Sequence, residues 1–470
     1  MAFRVKVFFM ISIFFVSHIF AEINTNEFAQ RRDKLMQKVS QGVILMRGAV
    51  EYARNGDVNF KFRQNSNFYY LSGFDEPDAT MLLLPGEAQK FIMFVKPFNA
   101  HMAVWVGESY GVEGAMKIFK ADTAFANDTF DDVIKSYLRN KETVYLPFSD
   151  QEFASHITSL LNTHYGRYPK KIEDIDQYIN DLRQIKSTKE IELMQKAIDI
   201  TVDAHKEAMK AIKPDMHEYE IAALIKYIYL KNGSERSGFP SIVGSGPNST
   251  ILHYEKNERK MTQNDMVVID IGAEYGMYSA DVTRTVPVDG NFSEEQKDIY
   301  KIVLESQKAG VEMTKPGITL SDISNKSTEI IKNGLFDLGL ITDKESRWQT
   351  SVWFMHGVSH GLGLETHDPG GYRNQKLEAG MVFTVEPGIY IGENALENVY
   401  MMSRMGVSKD AIDAFVEAVK PAFEKYKNIG VRIEDDVLVT ETGYRNLSEK
   451  APREISDIEK LMSKGSKFTE

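Results

Sequence analysis

The run VVIDIGAEYGMYSADVTRT, residues 267–285, sets the hardest constraint on this chain. Its β-branched residues and its period-2 alternation ask for two paired strands, yet it places Asp270 and Asp281 among them. With Tyr275-Gly276 as a two-residue loop, the hairpin brings Asp270 directly opposite Asp281 on one face, with Cβ atoms ~5 Å apart. Facing like charges are destabilising, and burying them adds a desolvation cost, so a cation between them is expected. A two-metal site answers that requirement, because carboxylates reaching from adjacent strands can chelate or bridge divalent ions. Over these residues alone, a solvated hairpin with two surface aspartates reads equally well.

Other segments supply matching ligand chemistry. WFMHGVSHGLGLETHDPGG carries His356, His360 and His367 among glycines that allow close backbone approach, and these are three of ten histidines in the chain. The His-Glu-x-x-His pattern of zinc proteases is absent. Glu386 ends an apolar strand in TVEPGIYI, and Glu434 lies within GVRIEDDVLVT. Strand periodicity puts Arg432 on the face of Glu434, a cation beside a carboxylate. Taken singly, Glu-Pro-Gly reads as a turn and Glu-Asp-Asp as a solvated strand end.

The chain has no cysteine, which excludes thiolate catalysis, Cys-ligated zinc and iron–sulfur clusters and leaves the chemistry to oxygen and imidazole groups. A net charge of −11 argues against nucleic-acid or anionic-membrane partners. Residues 1–21 read as a signal peptide: Arg4 and Lys6, an apolar stretch, then Ala21 at the cleavage point. The expectation is an exported protein, periplasmic or secreted, with no membrane contact in its mature form.

Residues 22–178 read as an α/β domain, with strands at 41–46, 79–84 and 90–95 and a helix at 131–138. Residues 179–465 read as an α+β domain with an antiparallel sheet. Its helices begin at the capping boxes Ser187/Glu190 and Ser293/Gln296, with further helices at 216–231 and 320–338. Strands are expected at 381–385, 431–433 and 437–440.

Together these segments resemble the pita-bread metallopeptidases, the family of methionine aminopeptidase, prolidase and aminopeptidase P. The family's five metal ligands fall on Asp270, Asp281, His360, Glu386 and Glu434, in order and in matching contexts. FRQNSNFYYLSGFDEPDA at 62–79 and PSIVGSGPNSTILHY at 240–254 are similar to aminopeptidase P, the second carrying His253. The resemblance implies a curved antiparallel pita-bread sheet and two divalent ions per subunit, Mn2+ in first place with Zn2+ or Co2+ as alternatives. It implies peptide substrates with an N-terminal Xaa-Pro, restricted to dipeptides if the chain is a prolidase, and a homodimer or homotetramer.

By the same resemblance Asp281 and Glu434 bridge the ions, Asp270 binds one of them, and His360 and Glu386 bind the other. Glu386 would move a proton. His253, His356 and His367 would act in catalysis and hold substrate, as would Asp270 at the α-amino group, with Arg432 and Tyr390 beside them. Asp57 and Arg63 would either reach the site or hold domains and subunits together, the structural role being the expected one for Arg63. Two departures stand out. Glu386 and Glu434 lie 48 positions apart, longer than the compact bacterial pattern, and the signal peptide is unusual. Within 391–430, the segment 408–426 has helical apolar spacing that Pro421 is expected to break or kink.

Overall fold

The computed structural model describes residues 23–39, 41–162, 169–372 and 374–468, so the signal-peptide expectation lies outside the described residues. The N-terminal part is built on a six-stranded mixed sheet. Its order is Thr123–Ala126, Phe91–Val95, Thr80–Leu83, Val43–Arg47, Thr143–Leu146 and Lys171–Asp174. Strand alternation gives this sheet two apolar faces. Val43, Leu45, Ile92 and Phe94 pack beneath Phe130, Ile134 and Phe153. Ile44, Met46, Met81 and Met93 face the other way and join a core continuous with the rest of the chain.

In the C-terminal part every strand pair is antiparallel among the described residues. Ile242–Ser245, Met266–Ile271 and Val282–Pro287 form one sheet; Val382–Val385, Asp435–Val439 and Tyr444–Asn446 form another. Gly388–Tyr390 pairs with Gly430–Arg432. The helices Thr188–Ala211 and Glu294–Met313 begin at the expected capping boxes, with both reciprocal bonds present. The α/β part followed by an α+β part with antiparallel pairing is therefore the arrangement expected.

The hairpin register is corrected by two residues. Asp270 pairs with Thr283, not with Asp281, and Tyr275 pairs with Tyr278. The loop is Gly276-Met277, with φ of 56° and 72°. Both central residues of this two-residue turn are left-handed, as a type I′ turn requires, and glycine takes the first position without strain. A shift of two preserves strand parity, so both aspartates still share a face, now as diagonal neighbours.

Of the two outcomes expected at Pro421, a break does not occur: the helix Lys409–Tyr426 runs through it. Ile412, Phe415, Val419 and Phe423 on one face are buried, with Phe415 against Trp348 and Phe423 near Trp353. That burial outweighs a proline cost of ~3 kcal/mol.

Buried ionic contacts lock the two parts together. Arg63 donates to Glu274 at 2.7 Å and to the Leu364 carbonyl at 2.6 Å. Glu190, the capping residue, accepts from the Tyr278 hydroxyl and pairs with Arg31 of the first helix. Within the C-terminal part, Asp368 accepts from Arg183 at 2.6 Å and Lys186 at 3.0 Å, all three buried. Burial pushes the Asp368 carboxyl up, but the two cations outweigh it and hold it below its ordinary range. Its stabilisation is thus present above an unfolded carboxylate pKa of ~3.9 and fades as pH falls through the lower folded value. Asp368→Ala should lower unfolding stability by ~3–5 kcal/mol by stranding two buried cations. Asp368→Asn should flatten the loss of stability below about pH 4, read from denaturant midpoints across pH.

Candidate metal centre

Four short segments meet around one cavity of about 820 Å³. Asp270 comes from Met266–Ile271, Asp281 directly precedes Val282–Pro287, and His360 comes from the loop before Val382–Val385. Glu386 follows that strand, and Glu434 sits between Gly430–Arg432 and Asp435–Val439. Close passage of the hairpin strands requires Gly272, where a Cβ would lie 1.8 Å from the Ala280 carbonyl oxygen. Ligand atoms of Asp281, His360 and Glu434 all lie within 4.8 Å of one another. His360 Nε2 is 3.5 Å from both Asp281 Oδ2 and Glu386 Oε1.

Electrostatics make this cluster costly by itself. Burial, then Glu434 and Asp270, push the Asp281 carboxyl well above its ordinary range. Burial, then Glu386 and Asp270, do the same to Glu434, which is 1% exposed. Glu386 is pushed up to about 8 by burial, against the opposing pull of Arg432. Asp270 Oδ2 accepts from Arg432 at 2.6 Å, while its buried Oδ1 has no partner. Arg432 leaves most of this negative charge uncompensated, which is the environment a divalent cation satisfies.

The histidine tautomers add to this. His360 Nδ1 lies 3.1 Å from the Gly361 carbonyl, an acceptor only, so Nδ1 carries the proton and the Nε2 lone pair faces the carboxylates. Burial, then His367, lower His360 to about 4, leaving it neutral and able to ligate. The donor set fits a divalent ion. One nitrogen among carboxylate oxygens suits Mn2+ or Zn2+ better than a soft metal.

Around the ligands a hydrogen-bonded wall fixes their orientation. Arg432 donates to Asp270, to the Tyr390 oxygen at 2.8 Å and to Thr283 at 3.3 Å. The Thr283 hydroxyl donates onward to Glu434 at 2.7 Å. Because Tyr390 accepts from Arg432, its own proton points to His356 Nε2, 2.8 Å away, and His356 Nδ1 donates to the Gly357 carbonyl at 2.7 Å. Both His356 nitrogens are therefore occupied, and burial followed by Arg432 lowers its pKa to about 4.

All five expected ligands and His253, His356, His367 and Arg432 line the cavity. Tyr390 does not; at 1% exposure it stands behind His356 and Arg432. Arg63 reaches the cavity as well as bridging the two parts of the chain, whereas Asp57 is exposed in a separate hairpin. Glu434, Asp435 and Asp436 are all buried, so a solvated strand end is excluded there. Thr283 went unnoticed in the sequence, although its period-2 relation to Asp281 places both on one face.

The family profile "Metallopeptidase family M24" matches residues 192–441, and "Aminopeptidase P, N-terminal domain" matches residues 28–145. An Xaa-Pro aminopeptidase of Haemophilus influenzae is 36% identical over 94% of this chain and 98% of its own length. Human Xaa-Pro aminopeptidase 3 is 33% identical over 94% of this chain and 86% of its own. The solved aminopeptidase PepP of Pseudomonas aeruginosa superposes with a TM-score of 0.85, at 32% identity, over 94% of this chain and 99% of that one. This chain belongs to metallopeptidase family M24 and is a metal-dependent hydrolase. Within it, the N-terminal domain and the full-length relatives set it among the aminopeptidases P.

Thr283→Val keeps volume but leaves Glu434 and Arg432 without the shared hydroxyl. Metal affinity should fall ~10–100-fold, measured by competition with a chelating dye.

Proposed function

We propose that this chain is an exopeptidase that releases the N-terminal residue from peptides with proline in second position. The observation that carries this reading is the convergence of Asp270, Asp281, His360, Glu386 and Glu434 on a cavity flanked by three further histidines. Asp270, Asp281, His360, Glu386 and Glu434 would hold two divalent ions, with Mn2+ the favoured metal. Such ions, when bound, supply a water of lowered pKa and a Lewis acid for the scissile carbonyl.

The protein's own groups do the remaining work. The bond before proline has no N–H, so recognition must rest on the carbonyl and the free amino terminus. Asp270 would anchor the α-amino group, held in place by Arg432. Glu386 would accept the proton of the attacking water and pass it to the proline nitrogen as the C–N bond breaks. His253 and His367 would hydrogen-bond the carbonyl as it becomes tetrahedral. His356, an acceptor at Nε2, would meet a peptide N–H by exchanging its bond to Tyr390. We also assign residues 22–178 and 179–465 as the two domains, residues 1–21 as an export signal, and a homodimer or homotetramer as the working assembly. No helix among the described residues is long and apolar enough to cross a membrane.

The test is metal-dependent turnover of Arg-Pro-Pro beside an Xaa-Pro dipeptide. Cleavage of the tripeptide is expected, lost on chelation and restored by Mn2+; cleavage of the dipeptide alone would mean a prolidase. Glu386→Gln should lower kcat on the tripeptide by ~100-fold or more.

A further inference from the structure

The segment between Glu386 and Glu434 builds a second cavity of about 940 Å³ against the catalytic one. Its wall is apolar and sulfur-rich: Ile251, Val352, Met355, Met401, Met402 and Met405. Met405 is 77% exposed and Met401 59%, a cluster of large apolar side chains left facing water.

The two cavities share their walls. Ile251 lines the second cavity, while the next residues, Leu252 and His253, line the first. Met355 lines the second and His356 the first. Tyr390 borders the second cavity and bonds His356 across the partition. Arg404 and Glu393 also line the second cavity, and Arg404 makes no ion pair among the described residues, so its guanidinium can turn to a carboxylate.

The geometry points to this groove as the seat for the downstream part of the peptide substrate, the portion beyond proline. It takes apolar side chains, and Arg404 receives a terminal or side-chain carboxylate. The inference rests on the exopeptidase reading and specifies its substrates: longer peptides with apolar residues after the proline are favoured. Four unbranched, adaptable thioethers suit a site that accepts varied apolar side chains rather than a single one. The partition it shares with the catalytic cavity is what favours a segment of the substrate over a second copy as occupant.

The experiment compares Arg-Pro-Pro, Arg-Pro-Pro-Gly-Phe-Leu and Arg-Pro-Pro-Gly-Ser-Ser on the Mn2+-loaded, full-length protein and on a Met401→Glu/Met405→Glu variant. Both substituted residues are exposed, so the variant should fold, as unchanged turnover of Arg-Pro-Pro would verify. The parent should favour the apolar hexapeptide over the polar one by about tenfold in kcat/KM, carried by KM. The variant should lose that preference, and calorimetry should show weakened binding of the product peptide Pro-Pro-Gly-Phe-Leu.

Equal turnover of the two hexapeptides by the parent would overturn the proposal while leaving the exopeptidase reading intact. So would a variant that slows all three substrates alike, or one whose mass by light scattering drops while its peptide preference stays, marking the face as a contact between copies. If the parent cleaves no Xaa-Pro peptide with any divalent metal, both readings fail together.

Discussion

The mutual repulsion of carboxylates held away from water governs this structure. Asp281, Glu386 and Glu434 all have their acidity suppressed by burial and by other acids of the cluster, and one oxygen of Asp270 is buried without a partner. An arrangement of this kind is unfavourable for a folded chain unless positive charge enters it. The rest of the C-terminal part holds it in place regardless: two sheets fix the strands, a glycine lets them pass closely, and Arg432 supplies the cation nearest the ligands. The cluster is therefore held by the scaffold against its own repulsion, which is how a preorganised metal site differs from a chance acidic patch.

The three consecutive acids at 434–436 show how finely this is arranged. Asp435 points to the side of the sheet where Arg284 meets it at 2.6 Å and Arg453 also pairs with it. Burial pushes its carboxyl up, but those two guanidinium groups outweigh it and hold it well below the ordinary range. Glu434 and Asp436 point the other way, where the nearest charges are acids, and both are pushed up. The side-chain period of two thus sorts one acidic run into a structural ion pair and a site ligand with its supporting neighbour. Asp436 in turn accepts from the Asp281 backbone N–H at 3.1 Å, linking Asp281 to the strand after Glu434 through the main chain.

Much of this was legible in the residues. Capping boxes at Ser187 and Ser293 marked helix starts because their reciprocal bonds depend only on local spacing. The convergence of these side chains on one cavity was legible because acids and histidines in apolar contexts demand explanation. The hairpin register was not, since the left-handed pair Gly276-Met277 breaks the rule that a non-glycine residue avoids positive φ. Pro421 misled for a related reason: a local penalty was outweighed by burial of Phe415 and Phe423 against distant tryptophans, which no short window contains. The role of Thr283 depends on Glu434 and Arg432 arriving from far along the chain.

Those distant partners also explain why the N-terminal part cannot be treated as an appendage. Arg63 bonds Glu274 on the strand that follows Asp270, and it donates to the Leu364 carbonyl in the loop between His360 and His367. Asp368, directly after His367, is held by Arg183 and Lys186 from the start of the C-terminal part. The histidine loop is therefore clamped from both sides by cations that precede the catalytic sheet in sequence. A loop rich in glycine has high conformational freedom when unconstrained. Fixing His360 within reach of two carboxylates requires removing that freedom, and buried charge pairs do so with directional specificity that apolar contact lacks. Domain packing and site geometry are, in this protein, the same set of interactions.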